Sequence, residues 1–241
     1  MQDNSAVDEN SSSIPASIPA ANPICQPIAA YWHTILLLTL QALLAYRGQL
    51  RLLHSQGMTH LQRVALYERT IVIEWSILAL VVAGVWLHKA PLSAVLGPQW
   101  SSLRGLFFDF GIGFAFLVVT VLITSLLGHD KNRATVSFLP KNKAEFFFWM
   151  AVAVSAGICE EAVFRGYLQR QFIAITRSAA AGIVLSAVVF GAAHFYQGPR
   201  RALQIAVLGA LAGILAYWRG SVRPGMIAHV FQDVLGGLIH N

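Results

Sequence analysis

The stretch AEFFFWMAVAVSAGICEEAVFRGYLQRQFIAIT, Ala144 to Thr176, reads as helix from end to end, without a proline. A membrane crossing needs about 20 apolar residues, so a helix this long must tilt, kink or project from the bilayer. Its first half is aromatic and small-residue apolar sequence. Then come two adjacent carboxylates, Glu160 and Glu161, and an arginine, Arg165. Charges in such a setting are expensive unless paired or put to use.

The rest of the chain repeats the apolar pattern. Of 241 residues, 56% are apolar and 12% charged, and mean hydropathy is positive. A soluble domain carries about 25% charged residues. Apolar blocks fall near 30–46, 71–87 (containing Glu74), 106–127, 144–176, 179–195, 203–218 and 224–240. These imply an all-α polytopic membrane protein, a bundle of about seven transmembrane helices with six to eight allowed. Three parts are expected: a disordered tail over 1–28, transmembrane helices and polar connections over 29–143, and a helical core over 144–241. The tail has Asp3, Asp8 and Glu9 but no Lys or Arg, unlike the basic start of a cleaved signal peptide.

The net charge of +6 sits mostly in short connections between apolar blocks, which suits anionic lipid headgroups and gives no nucleic-acid surface. Arg47, Arg51, Arg63 and Arg69 suggest an interfacial segment. Cys25 and Cys159 read as small buried hydrophobes, not a disulfide framework. Gly209 and Gly213 form a small-xxx-small pair expected to join two helices of this chain.

Glu161 and Arg165 are four apart and share a helix face, so they can pair. Glu160 is turned about 100° away, and the positions four residues from it hold Ala156 and Phe164. Its partner must come from elsewhere. The candidates are His194 in FGAAH, and His229 with Asp233 in HVFQD. If the chain turns near Arg177, Glu160 and His194 each lie seventeen residues from the turn. Both then sit about 25 Å down their helices, at one level. His229 joins them if the hairpin projects about 10 Å from the bilayer. A carboxylate beside an imidazole can activate water, and a second imidazole can hold an oxyanion. Glu160 and His194 fit the first role and His229 the second. Asp233 must be protonated, or orient His229 through its other nitrogen. Alternatively, Glu160, His194, His229 and Asp233 form a donor set for zinc or another divalent ion, although HExxH spacing is absent. No nucleophilic-serine, P-loop or dinucleotide fingerprint is present. A purely structural polar network and a proton-relay transporter are the non-hydrolytic readings; concentration of the polar residues in the C-terminal part disfavours the transporter.

These residues resemble the CPBP (Abi) family of intramembrane proteases, which includes CAAX prenyl endopeptidases and bacterial bacteriocin-processing and immunity proteins. EExxxR is met by Glu160, Glu161 and Arg165, FxxxH by Phe190 and His194, and HxxxD by His229 and Asp233. The resemblance implies an endopeptidase acting on a membrane-associated protein or peptide. Glu160 and His194 would activate water, His229 and Asp233 would stabilise the oxyanion, and Glu161 and Arg165 would support them. It favours a reaction with no cofactor, with a divalent metal as the alternative. The prenyl endopeptidases have Asn where this chain has Asp233, whereas bacterial members often have Asp. This points to a multi-pass protein of a bacterial inner membrane, with a non-catalytic scaffold or immunity factor as the alternative function.

Overall fold

A computed structural model describes residues 26–52, 58–128, 136 and 138–239. The elements of the described residues are all helical. They are α1 (Tyr31–Leu52), α2 (His60–Leu87), the single turn α3 (Ser93–Leu96), α4 (Leu103–Leu127), α5 (Lys143–Thr176), α6 (Ala179–Ala193), α7 (Pro199–Arg219) and α8 (Arg223–Ile239). A short 3₁₀ turn, Phe195–Gln197, links α6 to α7. The expected tail lies outside the described residues up to position 25. Ile28, at its end, is buried.

Local chemistry sets the boundaries. Thr59 and Gln62 form a reciprocal capping box at the start of α2. Ser102, Asn142 and Ser178 each accept a backbone N–H in the first turn of the helix that follows. Pro199 opens α7, where its missing N–H costs nothing. Arg177 adopts a left-handed conformation (φ 56°) that ends α5 and starts the return along α6.

Seven spans were expected, and the structure corrects that number. Among the described residues, four helices are long and apolar enough to cross a membrane: α2, α4, α5 and α7. At 15 and 17 residues, α6 and α8 reach about 22 and 26 Å, short of a hydrocarbon core of about 30 Å. Though 22 residues long, α1 carries His33, Gln41 and Arg47 and falls below the apolar requirement. The blocks were apolar because they face other helices as well as lipid, and composition does not separate the two. On α4, by contrast, Phe107, Phe114, Val118 and Leu122 project outward from the bundle, as lipid-facing residues do. The chain is a membrane protein.

The proposed interfacial segment also resolves differently. The first basic residues extend α1, and α2 begins at His60; residues 53–57 lie outside the described set. Arg63 is buried, its Nε donating to the Glu145 carboxylate at 3.1 Å, while His60 Nδ1 lies 2.8 Å from the other Glu145 oxygen.

The helix with the opening stretch is the hub. Between Glu161 and Leu168, α5 widens into a π-helix, with the Gln169 N–H bonded to the Phe164 carbonyl, and all eight residues of that turn are buried. Around it gather Val81 and Val85 of α2, Phe190 of α6 and Ile205 of α7. Tyr167 and Gln171 anchor α1: the Tyr167 hydroxyl lies 2.7 Å from His33 Nδ1, and Gln171 accepts the Ile28 N–H at 2.8 Å. The Gly209–Gly213 pair packs within the chain. A side chain at Gly209 would meet Phe190 and Arg165, and one at Gly213 would meet Gln169 and Ile183.

Candidate active site

Three elements deliver the polar side chains that the sequence singled out. Glu160 is the last residue before the π turn of α5, His194 caps the C-terminus of α6, and His229 and Asp233 stand one turn apart on α8. The structure brings all four together. Glu160 Oε1 is 3.8 Å from His194 Nε2, and Glu160 Oε2 is 3.8 Å from His229 Nε2. Asp233 Oδ2 faces the same nitrogen of His229 at 3.7 Å.

Each histidine is held through its other nitrogen. His194 Nδ1 donates to the Phe190 carbonyl at 2.8 Å, which leaves Nε2 to face Glu160. Phe190 also packs edge-on against the His194 ring, and the Tyr196 ring lies nearly parallel to it with centroids 6.1 Å apart. His229 Nδ1 donates to Glu161 Oε1 at 3.1 Å, and Arg165 Nη1 pairs with that same oxygen at 3.1 Å. Glu161 and Arg165 are each about 3% exposed at the side chain, so this is a buried pair, and Arg165 lies over the Phe190 ring at 4.1 Å. Asp233 therefore does not orient His229 through Nδ1. Glu161 occupies that place.

His229 lies on α8, outside the four spanning helices. Burial works to lower its pKa, but Asp233, Glu161 and Glu160 outweigh it and raise it to about 9. The imidazole is thus held as a cation at neutral pH, with a proton on Nε2 as well as on Nδ1.

Close backbone approach sets this geometry. A side chain at Gly157 would strike Val230 of α8, and one at Gly225 would come within 3.0 Å of Glu161 Oε2. Trp149 donates its indole N–H to the Asp233 backbone carbonyl at 2.8 Å, pinning α8 to α5 one turn beyond His229. The side chains face a cavity of about 290 Å³, whose walls include Tyr67, Phe116, Thr120 and Gln232.

The same donors were candidates for a divalent ion. Among the described residues, no group of three His, Cys, Asp or Glu side chains converges closely enough to hold one. The approaches of Glu160 and Asp233 to the histidine Nε2 atoms, 3.7–3.8 Å, are wider than a direct hydrogen bond.

A family model described as type II CAAX prenyl endopeptidase Rce1-like matches residues 142–235. This segment is similar to that family's domain. It supports the resemblance to the CPBP family and the hydrolase character of the site. No curated protein and no solved structure matches the chain. The Rce1-like segment starts at Asn142, the cap of α5, and contains Glu160, Glu161, Arg165, His194, His229 and Asp233.

Part of the cavity wall lies outside the Rce1-like segment. Tyr67, Thr70 and Glu74 come from α2, and Phe116 and Thr120 from α4. Sequence reasoning placed Glu74 in an apolar block and gave it no role. Its signal was visible: an acid alone in an uncharged membrane segment marks a functional position by default. Tyr196 gave no comparable signal, because nothing in the sequence sets it apart from other aromatic residues.

Proposed function

We propose that this protein is a membrane-embedded endopeptidase that hydrolyses a peptide bond of a membrane-associated protein or peptide. The observation that carries the reading is Glu160 flanked by two imidazole Nε2 atoms, each 3.8 Å away, on a cavity wall. That spacing is too long for a direct hydrogen bond and suits one bridging water. Such a water donates one proton toward His194 Nε2, whose lone pair is exposed because Nδ1 carries the hydrogen bound to Phe190. It gives the other to Glu160, the general base, as oxygen attacks the substrate carbonyl.

The negative charge then develops on the carbonyl oxygen. The Nε2–H of His229 points into the same space, and the buried Glu161–Arg165 pair fixes the ring through Nδ1. Glu161 and Arg165 are positioning residues. Asp233, beside the same Nε2, favours the charged imidazole and occupies the place of the Asn found in the prenyl-protease branch. That difference supports leaving prenyl specificity unassigned, and supports an inner-membrane setting like that of bacterial family members.

The test uses purified protein in liposomes with internally quenched, lipid-anchored peptides, prenylated and unmodified, and mass spectrometry of the products. Wild type is expected to cleave at one bond. E160Q should lose about 10²- to 10⁴-fold in kcat, and H229A about 10²- to 10³-fold, both remaining folded. Full activity in E160Q would refute the peptidase reading and leave a non-catalytic scaffold. Activity lost to chelator and restored by zinc would replace the metal-free reaction with a metal-dependent one.

A further inference from the structure

Glu74 sits on α2, outside the segment that carries the family motifs. A second cavity, of about 230 Å³, opens between α1 and α2 and is walled largely by Leu44, Ile73, Ile77, Val163 and Phe164. It adjoins the first where five residues line both: Thr70, Glu74, Glu160, His194 and Tyr196. Glu74 therefore stands at the junction, on the wall opposite α5, beside the base that activates water.

Its surroundings favour the acid form. Glu74 Oε2 is buried and has no hydrogen-bond partner. The Thr70 hydroxyl donates to the Leu66 carbonyl at 3.0 Å, and Arg165 is committed to Glu161. The titratable groups that act on Glu74 are Glu160, Asp233 and His229, with Cys159, His194 and Tyr196 lining the cavity beside it. Glu160 and Asp233 repel a second anion, and His229 already serves three carboxylates. A carboxylate with no donor, next to another carboxylate in an apolar wall, is poorly tolerated, whereas a carboxylic acid is not.

Peptide hydrolysis needs such an acid. Attack by water passes one proton to Glu160 and forms a tetrahedral oxyanion. When the C–N bond breaks, the oxyanion electrons restore the carbonyl, and the bonding pair goes to nitrogen, which cannot leave as an amide anion. We propose that Glu74 is the general acid, giving its carboxylic proton to that nitrogen as the C–N bond breaks. The products are a carboxylic acid and an amine. Glu74 is left as carboxylate and Glu160 protonated; transfer of that proton across the cavity junction restores both for the next turnover. This role rests on Glu160 acting as the base.

The experiment compares two probes: a lipid-anchored peptide cleaved by wild type, and the same acyl portion as its 4-nitrophenyl ester. The nitrophenolate leaves without a proton, so it does not need the acid. E74Q and E74D, checked for folding by thermal unfolding in detergent, should lower kcat on the peptide about 100-fold or more with KM unchanged. On the ester they should stay within about tenfold of wild type, while E160Q loses both activities. Equal losses on the two probes, or wild-type peptide turnover in E74Q, would overturn the role of Glu74 and leave the hydrolase reading standing if E160Q is inactive. An active E160Q would remove the hydrolase reading, and the Glu74 proposal with it.

Discussion

At the scale of single residues, the adjacent carboxylates divide their work because they point in different directions. Glu161 is almost wholly buried and paired with Arg165, whereas Glu160 is about 20% exposed at the cavity wall. Removing Arg165 leaves a buried carboxylate without its cation, and breaking such a pair costs about 3–5 kcal/mol. R165A should lower the thermal midpoint in detergent strongly, while R104A, at an exposed position, should leave it nearly unchanged. His229 predicts a pH dependence. Its pKa rises on folding from 6.5 to about 9, so the folded state binds more protons between those values. The resulting stability is fully present below pH 6.5 and is lost as pH rises through about 9. Turnover should fall over the same alkaline range, because the oxyanion donor loses its proton. Asp233 is the first of the groups that raise this value, so D233N should move the alkaline decline to lower pH in both kcat and thermal stability. A decline that stays in place would show that Asp233 does not set the charge of His229.

At the scale of elements, the site depends on how closely α8 lies on α5. Gly157 is where the helices touch: a Cβ there would come 2.4 Å from Val230 Cγ2 and 2.9 Å from its backbone nitrogen. The backbone cannot yield as a side chain can, so a larger residue must push α8 outward and carry His229 with it. Overpacking of this kind costs about 1–3 kcal/mol. G157L should therefore lower stability by that order and reduce turnover, whereas I158A, one position along α5, should affect turnover little. Equal turnover losses in the two variants would mean that the α5–α8 contact does not govern the site. The π turn belongs to this scale too. Widening α5 immediately after Glu160 shifts the register of the buried residues that follow, as π-helical insertions at functional sites do.

At the scale of the molecule, the motif-bearing segment depends on the helices before it. Along α2, Arg63 pairs with Glu145, Tyr67 packs edge-on against Trp149, and Trp75 donates to Ser155 at 3.0 Å. Nearer the other end of α5, Tyr167 and Gln171 are satisfied by α1. Residues 142–241 expressed alone would expose these buried polar groups and the α2 face of α5. That fragment should aggregate or elute as a broad species on size exclusion in detergent, where the full chain gives one peak. A monodisperse, active fragment would show that the first helices are dispensable.

The sequence by itself determined the helical class, the membrane setting and the three motif pieces, because each depends on composition or on spacing within one helix. The i,i+4 pairing of Glu161 with Arg165 was legible for that reason, as was the turn near Arg177 that puts His194 level with Glu160. The number of spans was not legible. Apolar residues that face neighbouring helices look the same as those that face lipid, so α6 and α8 read as crossings until their lengths were known. The second partner of His229 was also hidden: Asp233 is its neighbour along α8, but Glu161 holds Nδ1 from α5. Glu74 was the largest omission, because it is 86 residues from Glu160 in the chain and nothing local links them. Only the packing of α2 across α5 set that acid at the junction of two cavities, since a contact between helices depends on which faces are buried together.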